Sequence, residues 1–256
     1  MNLATWNVNS LSVRLPQLLE WLAAHPQDAM VLQETKLTDD KFPQAEFEAA
    51  GYAAQWFGQK TYNGVALLTR GTAAADVVRN IPAFDDHQAR VLAGTVGDVR
   101  VIGAYFPNGQ SPGSDKFAYK LRWIEALRDW IAAELAAHPK LVLMGDFNIA
   151  PEDRDVYDPV LWAGQIHCTP EEREHFRQLV GIGLVDAFRM FDQPPKSWSW
   201  WDYRGLAFRK NQGLRIDHIL VAEALRRRVA TCVIDKEQRK NERPSDHAPV
   251  LLTLRD

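Results

Sequence analysis

The sequence predicts an α/β fold in which two mainly antiparallel β-sheets pack together with helices outside. Two observations carry this. Short apolar strand-like runs recur along the chain, while helical periodicity is confined to a few well-separated stretches. The 256 residues contain no linker and no low-complexity segment, so one domain spanning residues 1–256 is expected.

The elements follow in order. Asn2 to Val8 reads as a strand ending in Asn7-Val8-Asn9-Ser10. Leu15, Leu18, Leu19 and Leu22 have helical spacing, which predicts a helix from about Arg14 with Pro16 in its first turn, stopping at His25-Pro26. Ala29 to Gln33 is a strand that delivers Glu34, and Pro43 to Ala50 is a short helix closed by Gly51. Tyr52–Gly58, Gly64–Thr69 and Ala75–Asn80 read as strands. Ala89–Val96 and Val99–Tyr105 flank Gly97-Asp98, a two-residue hairpin signal. A long amphipathic helix runs from about Asp115 to Ala137 and stops at His138-Pro139.

Leu141 to Met144 follows, apolar on both faces and so expected to be covered on both. It runs into Gly145-Asp146-Phe147-Asn148. Asp146 and Asn148 are two apart and share a face in extended chain. Taken alone, this pair reads equally well as a metal- or water-positioning site and as an Asx turn. After an acidic loop, Thr169, Pro170 and Glu172 form an N-terminal signature for a helix over Pro170–Ile182. Leu214–Val221, Ala230–Ile234 and Val250–Leu254 are the last strands. Leu22-Ala23-Ala24-His25-Pro26 recurs as Leu135-Ala136-Ala137-His138-Pro139. Each copy ends a helix and precedes a short apolar strand that ends at an acid. Two similar β–helix–β halves would do this, as would chance in alanine-rich helix ends.

Composition excludes several classes. No run of about 18 apolar residues exists, so no membrane span is expected. The first residues lack a basic and an apolar region, so no secretory signal is expected either. Cys168 and Cys232 form no disulfide framework, which suits a cytoplasmic location. The net charge of −3 gives no bulk signal for a polyanion partner, but the charge is polarised. Lys196, Arg204, Arg209, Lys210 and Arg215 stand against Asp202 alone, interleaved with Trp198, Trp200, Trp201, Tyr203 and Phe208. That pattern suits stacking on bases and contact with a nucleic-acid backbone. Its alternative is a half-buried aromatic cluster with a solvated basic rim, in which Trp198 and Trp201 belong to the core.

Asn7, Glu34, Tyr105, Asp146, Asn148, Asp217, Asp246 and His247 all sit where apolar strands end. Glu34 and Asn7 are a half-shell for a hard divalent cation, with Asp246 a further candidate. Asp146 beside Asn148 can orient and deprotonate a water. His247 can donate to a phosphate oxygen, with Asp217 fixing its tautomer. A Ser-His-Asp hydrolase is disfavoured, because no Gly-x-Ser-x-Gly elbow is present.

Thr5-Trp6-Asn7-Val8-Asn9, Leu32-Gln33-Glu34-Thr35-Lys36, Tyr105-Phe106-Pro107-Asn108-Gly109, Gly145-Asp146-Phe147-Asn148, Leu214-Arg215-Ile216-Asp217 and Ser245-Asp246-His247-Ala248-Pro249 together resemble the exonuclease III type of DNA-repair nuclease. This type belongs to the endonuclease/exonuclease/phosphatase superfamily. The resemblance implies a four-layer α/β sandwich and dependence on Mg²⁺ or Mn²⁺. It implies a monomer acting on double-stranded DNA with 3′ ends, nicks or abasic sites, leaving 3′-hydroxyls. It also places Tyr105 and Asn108 on phosphate, and Trp200, Leu214 and Ile216 at the pocket for a flipped abasic sugar. Arg204 and Arg209 would contact DNA. His167 departs from the pattern, because that position is usually small in the abasic endonucleases. An imidazole there would narrow the pocket and leave mainly 3′-end chemistry, a 3′→5′ exonuclease and 3′-phosphatase. The bland alternative makes His167 an exposed loop residue or a helix cap. The competing functions are a full abasic endonuclease with exonuclease side activity, a small-molecule phosphatase, and a non-catalytic nucleic-acid-binding regulator.

Overall fold

A computed structural model describes all 256 residues. Its strands form two six-stranded sheets. The first contains β1 (Asn2–Asn7), β2 (Ala29–Gln33), β3 (Tyr52–Phe57), β4 (Val65–Arg70), β11 (Val229–Ile234) and β12 (Val250–Leu254), in the order β11-β12-β1-β2-β4-β3. The second contains β5 (Ala75–Arg79), β6 (Val91–Val96), β7 (Val99–Tyr105), β8 (Leu141–Asp146), β9 (Leu184–Asp186) and β10 (Asp217–Ala222), in the order β5-β6-β7-β8-β10-β9. Each sheet is antiparallel except for its central pair, β1 with β2 and β7 with β8. Each parallel pair is joined by a helix, α1 (Leu11–Ala24) or α3 (Asp115–Ala137), as a parallel connection requires. The repeated Leu-Ala-Ala-His-Pro segments end these two helices. The echo in the sequence therefore marks two halves with the same strand order.

Alternation along the strands makes the layers. Leu3, Val31, Leu67, Val101, Val142, Met144 and Ile219 form the core between the sheets. Ala4, Trp6, Met30 and Leu32 face α1 and α2 (Gln44–Ala49). Leu141, Leu143, Ile102 and Leu220 face α3 and α5 (Pro170–Gly181). The result is the four-layer sandwich that the resemblance implied, with β8 covered on both faces. The sheets approach closely at Gly103, where a Cβ would lie 2.1 Å from a Val31 methyl.

Several expected boundaries shift. Helix α1 begins at Leu11, a turn earlier than the periodicity suggested, and Pro16 lies inside it. Its early start is held by backbone bonds from Ser10 and Leu11 to the carbonyls of Glu34 and Thr35. The strand expected from Leu214 pairs with β8 only from Asp217. Leu214 instead bridges Trp200 and Val156, and the Ser199 hydroxyl accepts the N–H groups of Ile216 and Asp217. Strand β9 and the short helix α4 (Pro159–Trp162) were not anticipated. Both cysteines are free and buried. No helix is long and apolar enough to cross a membrane.

Candidate active site

The strand parity that builds the core also builds the site. Asn7 continues the row of Leu3 and Thr5, Tyr105 the row of Val99 and Val101, Asp146 the row of Val142 and Met144, and Asp217 the row of Ile219 and Val221. Each is therefore the polar end of a stripe that faces the opposite sheet. Register sets three of them side by side, since Asp146 pairs with Tyr105 on one flank and Asp217 on the other. Gly145 permits this, because a Cβ there would lie 1.8 Å from the Ala104 carbonyl oxygen.

Asn7 joins the two sheets. Its Nδ2 donates to Glu34 Oε1 at 2.8 Å and to Asp146 Oδ2 at 2.9 Å. Asp146 Oδ1 accepts the Asn148 N–H at 2.9 Å, and Asn148 Nδ2 donates to the Phe106 carbonyl at 3.0 Å. The Asn108 amide reaches Asn148 Oδ1 at 3.4 Å. The C-terminal loop docks on β1: Ser245 Oγ donates to the Asn7 carbonyl, and Trp6 Nε1 to the His247 carbonyl. His247 Nδ1 lies 2.9 Å from Asp217 Oδ2, while Nε2 lies 3.8 Å from Asp146 Oδ2.

Burial raises the Asp146 carboxyl to about 7; the His247 charge opposes that rise and the Asp217 charge adds to it. Burial alone would lower His247, but the carboxylates of Asp217 and Asp146 overcome it and lift the imidazole to about 10. Tyr105 is pushed well above the usual phenol range by burial and by the charges of Glu34 and Asp146. The site thus brings together a carboxyl of raised proton affinity, a cationic imidazole and a neutral phenol.

Ligand atoms of Glu34, Asp146 and His247 all lie within 4.8 Å of one another. Two carboxylates with an amide beside them suit a hard cation. The imidazolium of His247 is a proton donor there and offers no lone pair. Asp246 stands apart from this cluster: its oxygens accept Asn9 Nδ2 at 2.9 Å and Trp200 Nε1 at 3.0 Å. Lys36 pairs with Glu34 Oε2 at 2.9 Å.

Trp200, Leu214 and Ile216 come together, packed with Ala150, Val156, Cys168 and Trp162. His167 adjoins this cluster and is 6% exposed, so it is no exposed loop residue. Nor does its side chain cap α5, a role filled by Thr169. Its Nδ1 lies 2.7 Å from the Asn148 carbonyl, and burial lowers the imidazole to about 4. Trp198 and Trp201 are buried. Arg204 and Arg209 are exposed, Arg204 paired with Asp202. Arg215 is a correction to the basic surface read from the sequence: it is buried against Asp155 and Asp186.

The profile of the Endonuclease/Exonuclease/phosphatase family matches residues 4–247. The chain belongs to this family. Its relatives include exodeoxyribonuclease III of Haemophilus influenzae, 35% identical over 98% of each chain. Among solved structures it is similar to the 3′-5′ exonuclease NExo of Neisseria meningitidis, with TM-score 0.97 and 48% identity over 100% of both chains. A structure of NExo from Neisseria as a 3′ phosphatase bound to product DNA hairpin matches with the same TM-score of 0.97 and identity of 48%, over 99% of each chain. An AP endonuclease from Archaeoglobus fulgidus gives TM-score 0.95 and 31% identity over 99% of both chains.

Sequence reasoning missed the residues that support the family motifs. Asn9 links Lys36 to Asp246, Ser199 holds the start of β10, and Lys120 and Glu172 form a buried ion pair. Only the last had a visible signal, a lysine interrupting the apolar stripe of α3.

Proposed function

We propose that the protein is a Mg²⁺-dependent nuclease of DNA 3′ ends, a 3′→5′ exonuclease and 3′-phosphatase with little abasic-site incision, working as a cytoplasmic monomer. The coarser assignment, a DNA-repair nuclease that hydrolyses phosphodiesters, follows from the family and its full-length relatives. The observation that carries the finer one is the place of His167. Its ring lies beside Trp162, with centroids 6.4 Å apart, at the cluster of Trp200, Leu214 and Ile216. There it takes space that an extrahelical abasic sugar would need, while a terminal phosphate requires no flipped nucleotide.

Glu34 and the Asn7 amide oxygen are the groups that would hold Mg²⁺, with Mn²⁺ as the substitute; Asp246 accepts a bond from Asn9, whose N–H donates to that same Asn7 oxygen. A bound cation supplies charge stabilisation to a phosphoryl oxygen or the leaving group. Asp146 takes a proton from the attacking water, and Asn7 and the Asn148 N–H hold its oxygens in place. The new bond joins that water oxygen to phosphorus, and the bond to O3′ breaks; O3′ leaves as an alkoxide and takes a proton from solvent water, giving a 3′-hydroxyl. His247, charged by Asp217, and the neutral Tyr105 phenol donate to non-bridging oxygens. Asn108 meets the phosphate, and Arg204 and Arg209 meet the duplex backbone.

A second reading, full abasic endonuclease, draws support from the similarity to the A. fulgidus AP endonuclease. One assay separates them: labelled duplexes carrying a 3′-phosphate, a recessed 3′-hydroxyl or an internal abasic site, each with Mg²⁺ and with chelator. The proposal expects the first two to be processed at least tenfold faster than the third, roughly the discrimination a filled pocket gives. Abasic incision at a matching rate refutes it.

A further inference from the structure

Helix α3 carries a charge on its buried face. Phe117, Lys120, Trp123, Ile124, Leu127 and Ile131 form that face, and Lys120 is fully enclosed. An ammonium leaves water only when its protons are all used. Lys120 Nζ donates to Glu172 Oε1 at 2.5 Å, to the Asn148 carbonyl at 2.7 Å and to the Asn108 carbonyl at 3.2 Å. That exhausts its three donors. The acceptors lie on three different segments around the site.

Glu172 is equally buried and extends the link. The oxygen that meets Lys120 also accepts the His167 N–H at 3.1 Å, and its other oxygen accepts the Thr169 N–H and hydroxyl. The Asn148 carbonyl accepts twice, from Lys120 and from His167 Nδ1, each at 2.7 Å. A carbonyl only accepts, so Nδ1 carries the imidazole proton and Nε2 keeps a lone pair. Asn148 at φ 51° and His167 at φ 74° both have left-handed backbones. Such a conformation persists in a non-glycine residue only when its surroundings over-determine it. The two strained residues share this one network.

We propose that the Lys120–Glu172 pair is a positioning element that sets the Asn148 and His167 segments against each other, and so governs both turnover and the choice between 3′ ends and abasic sites. The inference rests on the roles given to Asn148 and His167 above. Neither Lys120 nor Glu172 touches substrate. A buried pair recovers in attraction roughly what its desolvation costs, so an apolar residue at position 120 would cover the sheet as well. What an apolar residue cannot supply is three directed bonds to three segments.

The test compares Lys120→Met with the double variant Lys120→Met/Glu172→Gln. The single change leaves Glu172 buried without a counter-charge and risks unfolding. The double change removes both charges and keeps an acceptor for the His167 N–H. Steady-state kinetics are measured in Mg²⁺ on duplexes with a 3′-phosphate and with an internal abasic site. The imidazole nitrogen shifts of His167 are read by NMR on the free protein. The double variant is expected to lose kcat on the 3′-phosphate by up to about a hundredfold, the cost of a misplacement of about 1 Å. Its KM stays within about threefold, and the preference for 3′-phosphate over abasic DNA falls by about threefold or more. That preference is a ratio and does not depend on the fraction of folded enzyme. In a His167→Gly background the same double change leaves the ratio unaltered. An unchanged ratio in the His167 enzyme overturns the proposal. If the wild type hydrolyses neither duplex, the substrate reading fails on its own. The imidazole signal then decides: loss of the Nδ1-protonated signature in the double variant supports the network, and its retention overturns it.

Discussion

Asp217→Asn isolates what the acid–histidine pair contributes. The substitution keeps an oxygen for the Nδ1 proton of His247 and removes the charge 2.9 Å away. At that distance and an effective dielectric of about 20, a unit pair is worth about 6 kcal/mol, or about 4 pKa units. Without it, burial returns His247 from about 10 to its ordinary value or below. The sign follows: a histidine held at about 10 is cationic at pH 8, whereas one near 6 is about 1% cationic. kcat at pH 8 should fall about a hundredfold, in the range found when one oxyanion donor is lost. The defect should shrink toward a few-fold near pH 6, where the variant imidazole regains its proton. The assay is kcat for 3′-phosphate release from pH 6 to 9, with His247 followed by NMR. A defect that stays constant across this range, or a variant His247 still titrating near 10, refutes the reasoning.

Other perturbations test neighbouring parts. Asp146→Asn should lower kcat by about a thousandfold or more, as loss of a general base does, while duplex affinity stays within about threefold; a tenth of wild-type turnover would remove Asp146 as the base. With Asp146 raised to about 7, kcat in the wild type should fall on the acid side with a midpoint near 7, read from the same pH profile. His167→Gly should raise abasic incision about tenfold with less change on 3′ ends, measured by gel assay. His167 and His218 are both lowered to about 4 by burial. The unfolded chain therefore binds protons between pH 6.5 and 4 that the native chain refuses. Their contribution is complete above pH 6.5 and lost as the pH falls to 4, about 3 kcal/mol each. Urea midpoints that do not drop over this interval contradict it.

The site was legible where its residues obey the period of the strands that carry them. Asn7, Tyr105, Asp146 and Asp217 extend inward-facing apolar rows, so the sequence shows both their strand and their face. Long-range partners erase that legibility. Arg215 sits in an aromatic and basic stretch and reads as exposed. It is buried because Asp155 and Asp186, 60 and 29 residues away, close on it. Lys120 interrupts the apolar stripe of α3, but the stripe does not show which groups would receive it, the Asn148 and Asn108 carbonyls. The start of α1 depends on carbonyls from the far end of β2. Periodicity reports which face is buried, and it carries no term for a partner that another segment brings.

The two halves share a strand order and diverge in chemistry at the same place. In the first, β1 ends in Asn7 and β2 is followed by Glu34; in the second, β7 ends in Tyr105 and β8 in Asp146. A symmetric pair of carboxylates would suffice to hold a cation, but hydrolysis needs unlike groups on the two sides of the phosphorus. One side must tolerate a cation and the other must stay basic near pH 7. The asymmetry is local: Glu34 is partly exposed and paired with Lys36, whereas Asp146 is buried beside Asp217 and His247. Equivalent strand ends thus acquire different surroundings from their neighbours alone. The Asn7 amide, bonded to both carboxylates, ties these two unlike groups to each other across the sheets.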